Sequence, residues 1–451
     1  MTDRTRPFLE RIALHRPELR AWAMYDWANS AMVTTIISAV FPIYFSKVAG
    51  AGLPPALATQ RFAIATTVSL VFVAIASPLL GALADTAGIR KKLLGFFMAV
   101  GILSTGAMFF IHEGDWRLAA ALFVLANIGV AGSFVFYDAL LPHVARPNEI
   151  DRLSTTGYAL GYLGGGLLLA LNLAWIQKPA WFGLPSGPGL TEAQATLPAR
   201  LAFLSVAVWW LVFAIPLFRR VPEPPPVPRA PVPGPRSLVR MTFVNLAGTF
   251  RDLRRLRPAL LMLLAFLIYN DGIGTIIRMA ASYGTELRID QGALIGALLL
   301  VQFVGIPFAI AFGTLASRIG AKRAIFVSLL VYVGISVLGF YMDSAREFYA
   351  LAILVGMVQG GSQALSRSLF ASMIPRERSA EFFGLFSVFE KFAGILGPAI
   401  FAATIATTGS SRNAILSVIL FFVVGGALLA MVNVDEGRRM ARAEERAKSR
   451  G

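Results

Sequence analysis

Apolar residues fall in long blocks along this chain, separated by short charged stretches. Reading the blocks between that punctuation gives twelve segments. Six lie near 22–48, 61–84, 93–111, 117–142, 154–176 and 199–218, and six near 258–280, 291–316, 324–342, 348–374, 382–406 and 412–432. Most run to about 20 residues or a little more, the length that carries an α-helix across a hydrocarbon core of roughly 30 Å. The expected fold class is therefore all-α: a polytopic membrane protein with 12 transmembrane helices.

Composition agrees, since 56% of residues are hydrophobic, only 15% are charged and the mean hydropathy is +0.67. In soluble domains about a quarter of residues are charged. The net charge of +16 could point to nucleic acid, but the basic residues sit between apolar blocks rather than along one polar face, so no nucleic-acid partner is expected. With no cysteine, disulfides and thiolate metal sites are excluded. The first twenty residues hold five arginines and three acids without an apolar core, unlike a cleavable signal peptide.

Lys and Arg placement sets the orientation. Arg4 to Arg20, then Arg90, Lys91 and Lys92, Arg146 and Arg152, the nine arginines of the central loop, Arg318, Lys322 and Arg323, Arg376 and Arg378, and the tail from Arg438 all fall on one side. The opposite loops carry mostly single charges, so both termini are expected in the cytoplasm. Alanine and arginine richness with short outer loops favours a bacterial inner membrane.

Residues 219–257 divide the chain. "RRVPEPPPVPRAPVPGPR" should be extended and stiff. After it, Val239, Phe243, Leu246, Phe250 and Leu253 recur at helical spacing, as in an amphipathic helix on anionic lipid or an ordinary solvated linker helix. The expected organisation is a tail (1–21), a six-helix half (22–218), this linker, a second half (258–432) and a basic tail (433–451).

The halves repeat one another. "GALADTAGIRKK" from Gly81 ends the second span and "GTLASRIGAKR" from Gly313 ends the eighth. Leu141-Pro142 matches Ile374-Pro375, and Gly161 and Gly164 match Gly394 and Gly397, at the same offset to within one residue. Two parallel six-helix halves are a transporter architecture.

The first of these motifs resembles the loop motif of the major facilitator superfamily, G-x-L-a-D-r-x-G-r-k, through Gly81, Leu83, Asp85, Gly88, Arg90 and Lys91. Thr86 and Ile89 depart from it, and Ser317 replaces the aspartate in the second copy. The resemblance implies the two-half fold and gating roles for Gly81, Asp85, Gly88, Arg90, Lys91, Gly313, Gly320, Lys322 and Arg323, with a charged latch in the first copy alone. Arg90, Lys91 and Lys92 also serve topology. "AWAMYDWANSA", "YNDGIGTII" and "GGSQALSRSLFASMIPRERSAEFFGLFSVFEKFAGILGP" together resemble the vacuole-effluxer-like branch, whose fungal members export amino acids from vacuoles. That resemblance implies amino-acid efflux as the activity.

Polar residues inside the spans give a reading from the residues themselves. Spans three, six, nine and twelve have no Asn, Gln, Asp, Glu, Lys or Arg well inside and can face lipid. Spans one, four, seven, eight, ten and eleven carry Asn29, Asn127, Asp138, Asn270, Asp271, Gln302, Gln359, Gln363, Arg367, Glu390 and Lys391, and should enclose a polar cavity. At 1.5 Å per residue, Asp271 lies about 20 Å deep, and Arg367 and Glu390 lie about 12 to 14 Å deep on one hairpin. An Arg367–Glu390 pair is expected, as a structural contact or as a substrate clamp. Lys391 meets the cavity or bonds a helix carbonyl. Asp271, with Arg278 two turns away, is a coupling or substrate group or a structural one. Asp138 lies near the end of its helix and reads as a gate contact. Tyr158 and Tyr162 line the cavity or pack. Asp26 reads as a helix-start partner and inner-gate contact, with proton or substrate binding as the alternative. No histidine is given a role.

No G-x-x-x-x-G-K-[ST], G-x-S-x-G or H-E-x-x-H occurs, so ATP hydrolysis and intramembrane hydrolysis are not expected, and no cofactor is. The function expected is a secondary active transporter for a small polar or zwitterionic solute. Asn29, Asn127, Tyr158, Tyr162, Asn270, Gln302, Gln359, Gln363, Arg367 and Lys391 would bind it, and Asp26, Asp271 and Glu390 would carry coupling protons. The partners are then solute, protons and membrane lipid. A drug or amphiphile exporter and a non-transporting scaffold or receptor are the competing readings.

Overall fold

The computed structural model describes residues 5–226, 251, 253–286, 289, 291–394 and 396–448. These residues form helices and connecting turns, with no strand among them. The reason is the solvent: in hydrocarbon each backbone N–H and C=O needs a partner within its own segment, and the helix supplies one. The first half comprises spans Pro17–Ala49, Pro55–Ala87, Arg90–Phe110, Trp116–Val144, Ile150–Gln177 and Glu192–Arg220. The second comprises Arg257–Glu286, Gln291–Ile319, Ala321–Phe340, Ala345–Ala371, the pair Ser379–Phe392 and Leu396–Thr408, and Ser411–Met431. The fold is the twelve-helix, two-half architecture.

Spans three, six, nine and twelve turn large apolar side chains outward, among them Leu103, Val208, Leu330 and Val423. Spans two and five do so too, at Val71, Ile75, Leu167 and Leu171.

Two spans depart from simple helices. Span one starts with Pro17 at its first turn, where a missing N–H costs nothing, and then widens into π-helical turns over Met32–Val40 and Phe45–Ala49. The β-branched run Val33 to Ile37 crowds an α-helical surface, and Pro42 withholds a donor between the two π segments. Span eleven, expected as one helix over 382–406, is broken. Gly394 takes φ +144°, a conformation closed to side-chain-bearing residues, and Pro398 has no N–H to continue the ladder.

The first and last described helices lie at one end of the bundle, here called the terminal side. Arg152 donates to the Glu10 carbonyl of the N-terminal helix Thr5–Arg11. Glu444 of the C-terminal helix Val434–Lys448 pairs with Arg378. The positions Val239, Phe243, Leu246 and Phe250 lie outside the described residues; Leu253 is buried.

Candidate functional site

The hydrogen bonds seen between the two halves gather toward the terminal side, in three layers. The outermost is built on Asp85, at the end of span two. Its carboxylate accepts the backbone N–H groups of Ala380 (3.1 Å) and Glu381 (2.8 Å), in the first turn of span eleven. A carboxylate there is favoured by the unsatisfied amides and the helix dipole. Arg90 donates to Asp85 Oδ1 at 2.7 Å and to the Glu377 carbonyl, so the charge of the latch is balanced while fully buried. Gly81 permits the approach, because a β-carbon there would overlap the Ala380 carbonyl. In the second copy Gly313 likewise lies against Thr155 of span five, but Ser317 Oγ donates only to the Thr314 carbonyl of its own helix.

The middle layer runs through serines. Ser154 Oγ donates to the Ala364 carbonyl, Ser368 Oγ to Asp151, and Ser379 Oγ to the Ala139 carbonyl while contacting His143.

The innermost layer is centred on Arg367 of span ten. Its guanidinium reaches Asp138 Oδ1 at 3.0 Å and Asp26 Oδ2 at 3.3 Å, and donates to the Ser154 hydroxyl and carbonyl. Tyr137 donates its hydroxyl to the same Asp26 oxygen at 2.8 Å. The rings of Trp22 and Tyr158 lie 4.9 and 4.7 Å from the guanidinium carbon, and Trp22 stacks on Tyr137. Gly157 leaves room for the assembly, since a β-carbon there would run into Asp26. Arg367 is a planar fork with five donors, and it joins spans one, four and five of the first half to span ten of the second.

This arrangement goes beyond one expectation and corrects another. Arg367 takes two carboxylates from the opposite half as partners, because span ten presents it across the interface. Glu390 is close enough for its charge to act on Asp138 and Tyr158. Asp26 is not a helix-start partner: the helix begins at Pro17 and Asp26 lies well inside it, buried. Of the expected gate residues, Lys91 and Lys322 bond within their own halves. Lys91 Nζ donates to the Phe218 and Val221 carbonyls, and Lys322 Nζ to those of Ala430 and Val432, so each closes off the last helix of its own half. Gly88 (φ +63°) and Gly320 (φ +88°) make the left-handed turns beside them, and Arg323 is exposed.

Deeper in the bundle, Asp271 of span seven accepts the Gly397 N–H at 3.0 Å, at the start of the second piece of span eleven. Arg278 approaches its other oxygen at 3.9 Å, and that oxygen has no hydrogen bond. Asn29 is fully buried with neither amide atom bonded within the protein, and the Gln302 carbonyl oxygen is in the same condition. Buried polar groups of this kind call for a partner, which a passing solute or water can supply. Tyr162 packs against Gly305 and Gly360, Asn127 bonds the Phe123 carbonyl of its own helix, Asn270 is buried beside Asp271, and Gln359 and Gln363 are half-buried on span ten. The Lys391 side chain lies outside the described residues.

Sequence reasoning passed over Trp22, Tyr137, Ser154, Gly157, Ser368 and Ser379. Counting strongly polar residues inside spans excluded serine, and tyrosine was weighed only at Tyr158 and Tyr162, although both residue types bond helix carbonyls and carboxylates readily.

Comparison with known proteins adds three findings. The family model described as "Vacuole effluxer Atg22 like" matches residues 56–442. An uncharacterised MFS-type transporter, YxiO of Bacillus subtilis, is 36% identical over 91% of this chain and 94% of its own, and autophagy-related protein 22 of Yarrowia lipolytica is 27% identical over 79% and 73%. Among solved structures, the human organic anion transporter MFSD10 superposes with a TM-score of 0.67 at 16% identity, covering 92% of this chain and 99% of its own. The transporter FucP in its outward conformation superposes with a TM-score of 0.67 at 13% identity, covering 93% and 100%.

Proposed function

The chain belongs to the vacuole effluxer Atg22-like family, within the major facilitator superfamily, and on that premise we propose that it is a proton-coupled secondary transporter exporting small zwitterionic solutes, amino acids foremost. That it is an integral membrane protein serving transport of a solute, and not an enzyme, follows from the family. The finer reading rests on one observation: Arg367, buried, is tied to Asp26 and Asp138 across the boundary between the halves.

One guanidinium faces two carboxylates there. With both ionised, the cluster keeps one negative charge in excess, which a proton or an amine can neutralise. Breaking a buried ion pair leaves an uncompensated charge at a cost of about 3 to 5 kcal/mol, so the halves separate at this end only when some other group takes up the charges. A zwitterion carries both signs. Its carboxylate suits a guanidinium and its amine suits an acid or amide, with Asn29, Gln302 and Asp271 offering buried polar atoms deeper along the path. Alternating access then consists of the two halves rocking between a terminal-side-closed state, the one described, and its opposite. The arginine-rich loops support a reading in which the terminal side faces the cytoplasm of a bacterial cell and protons enter as solute leaves.

The test is flux in proteoliposomes. A pooled set of labelled amino acids is presented under an imposed pH gradient to wild type, Arg367→Ala, Asp271→Asn and Glu390→Gln. Gradient-dependent flux in wild type that falls at least about tenfold in Arg367→Ala supports the reading. Absence of flux for any amino acid with correctly folded wild type rejects the substrate class.

A further inference from the structure

On the terminal side a cavity of about 140 Å³ lies between the two halves, roofed by the C-terminal helix Val434–Lys448. Three arginines border it: Arg376, on the turn after span ten, and Arg438 and Arg442, one helical turn apart on the roof. The opposite wall comes from the first half and is apolar, made by Ala145, Pro147 and Ile150. Glu445 is the one acid in the lining, and its carboxylate already accepts the Arg376 backbone N–H at 2.9 Å. Arg438 Nε donates to Ser372 Oγ at 3.3 Å, and its charge also reaches Asp151, which is bonded by Ser368. Among the described residues, none of the three guanidinium groups stands in an ion pair.

Like charges gathered on one wall of a cavity repel, and an apolar wall opposite lowers the local dielectric and strengthens whatever anion enters. Three guanidinium groups stand against the Glu445 carboxylate, with the Asp151 carboxylate beyond the lining near Arg438, so the lining itself is net positive. We propose that this cavity binds a doubly charged phosphate group, either a free phosphate or the phosphomonoester head of an anionic lipid, and that the bound phosphate holds the transporter closed on its terminal side. Guanidinium forks match phosphate oxygens in geometry and form charge-assisted hydrogen bonds with them. The regulatory half of the proposal rests on the alternating-access reading above. The cavity has walls from both halves, so it exists in full only while this end is closed, and a ligand that binds one state better shifts the population toward it.

The experiment uses the full chain in nanodiscs of neutral lipid. Radiolabelled inorganic phosphate is titrated onto wild type, onto Arg438→Ala/Arg442→Ala, and onto the charge-keeping pair Arg438→Lys/Arg442→Lys. In a parallel series the phosphate is omitted and phosphatidic acid is placed in the bilayer, with thermal stability as readout. Saturable binding or stabilisation in wild type, weakened at least about tenfold by the alanine pair and largely kept by the lysine pair, is the expected result. Response to inorganic phosphate identifies the free ion as the source, and response to phosphatidic acid alone identifies the lipid. No response to either, or an equal response in the alanine pair, overturns the site.

Nitroxide labels at Lys92→Cys and Arg318→Cys, both exposed, report the opening of the terminal side in a chain with no native cysteine. In Asp85→Asn, which should add a longer, open component, ligand should shift the distances back toward the closed state. If ligand binds and the distances stay fixed while Arg367→Ala moves them, the regulatory claim fails alone. If nothing moves them, the rocking itself fails and the binding site stands.

Discussion

Arg367 holds its two carboxylates by shape as well as charge. A lysine at this position would keep the charge but present three rotatable donors from a single nitrogen, and it could not serve Asp26, Asp138 and Ser154 together. Arg367→Lys is therefore expected to reduce transport nearly as much as Arg367→Ala, by about tenfold or more, in the proteoliposome assay. Charge also decides stability at Glu149, in the loop before span five. Burial alone would raise its carboxyl, but the Arg146 amide, Arg16 at 2.7 Å and His15 at 3.3 Å outweigh burial and hold it below the ordinary value of 4.5. A depressed carboxyl contributes stability that is fully present above its unfolded value and is lost as pH falls through its folded one. Glu149→Gln should then lower the thermal midpoint at pH 7, with the gap to wild type closing below about pH 4.5. At this scale the sequence was partly legible. Asp138 and Arg367 stood out because charge inside an apolar block is rare. Their partnership did not, because helix depth along one hairpin says nothing about which neighbouring helix a side chain will meet.

Span eleven shows what an element can hide. Its composition reads as one apolar helix, and Gly394, Gly397 and Pro398 were visible, yet glycine and proline are common enough in membrane helices to predict no break by themselves. The break gives the second piece a fresh N-terminus, whose amide is taken by Asp271. Gly397 must remain bare, since a β-carbon would overlap Thr275 Oγ1 and come within 2.8 Å of Asp271 Oδ1. Gly397→Ala should therefore lower the thermal midpoint and impair transport, and adding Thr275→Ala should recover part of both. Failure of the second change to recover either would separate the Asp271 contact from the fit around Thr275. In span one the π segments were not readable, for wide turns arise from crowding and one absent donor rather than from a hydrophobic period.

Across the whole molecule the repeat was legible and its asymmetry was half so. Gly81 and Gly313, matched in sequence, both bring their helices against the opposite half, at span eleven and span five. Only the first copy carries a carboxylate to the facing helix end, and Ser317 shows why the second does not. Lys91 and Lys322 both bond within their own halves, because the last helix of each half ends with carbonyls in reach. The described state is thus sealed at one end by the Asp85 latch, the serine layer and the Arg367 cluster together. Gly81→Leu would force spans two and eleven apart against a backbone carbonyl that cannot rotate aside, at a cost of about 1 to 3 kcal/mol, and should populate the state open on the terminal side about tenfold or more above wild type.

The most direct test of these polar layers as the seal is the distance between nitroxide labels at Lys92→Cys and Arg318→Cys in the full chain reconstituted in lipid. Wild type without ligand should give mainly the short, closed distance, and either Arg367→Ala or Asp85→Asn should add a longer component. Distances unchanged in both variants, with both folded, would contradict the account, because the layers would then hold nothing that moves.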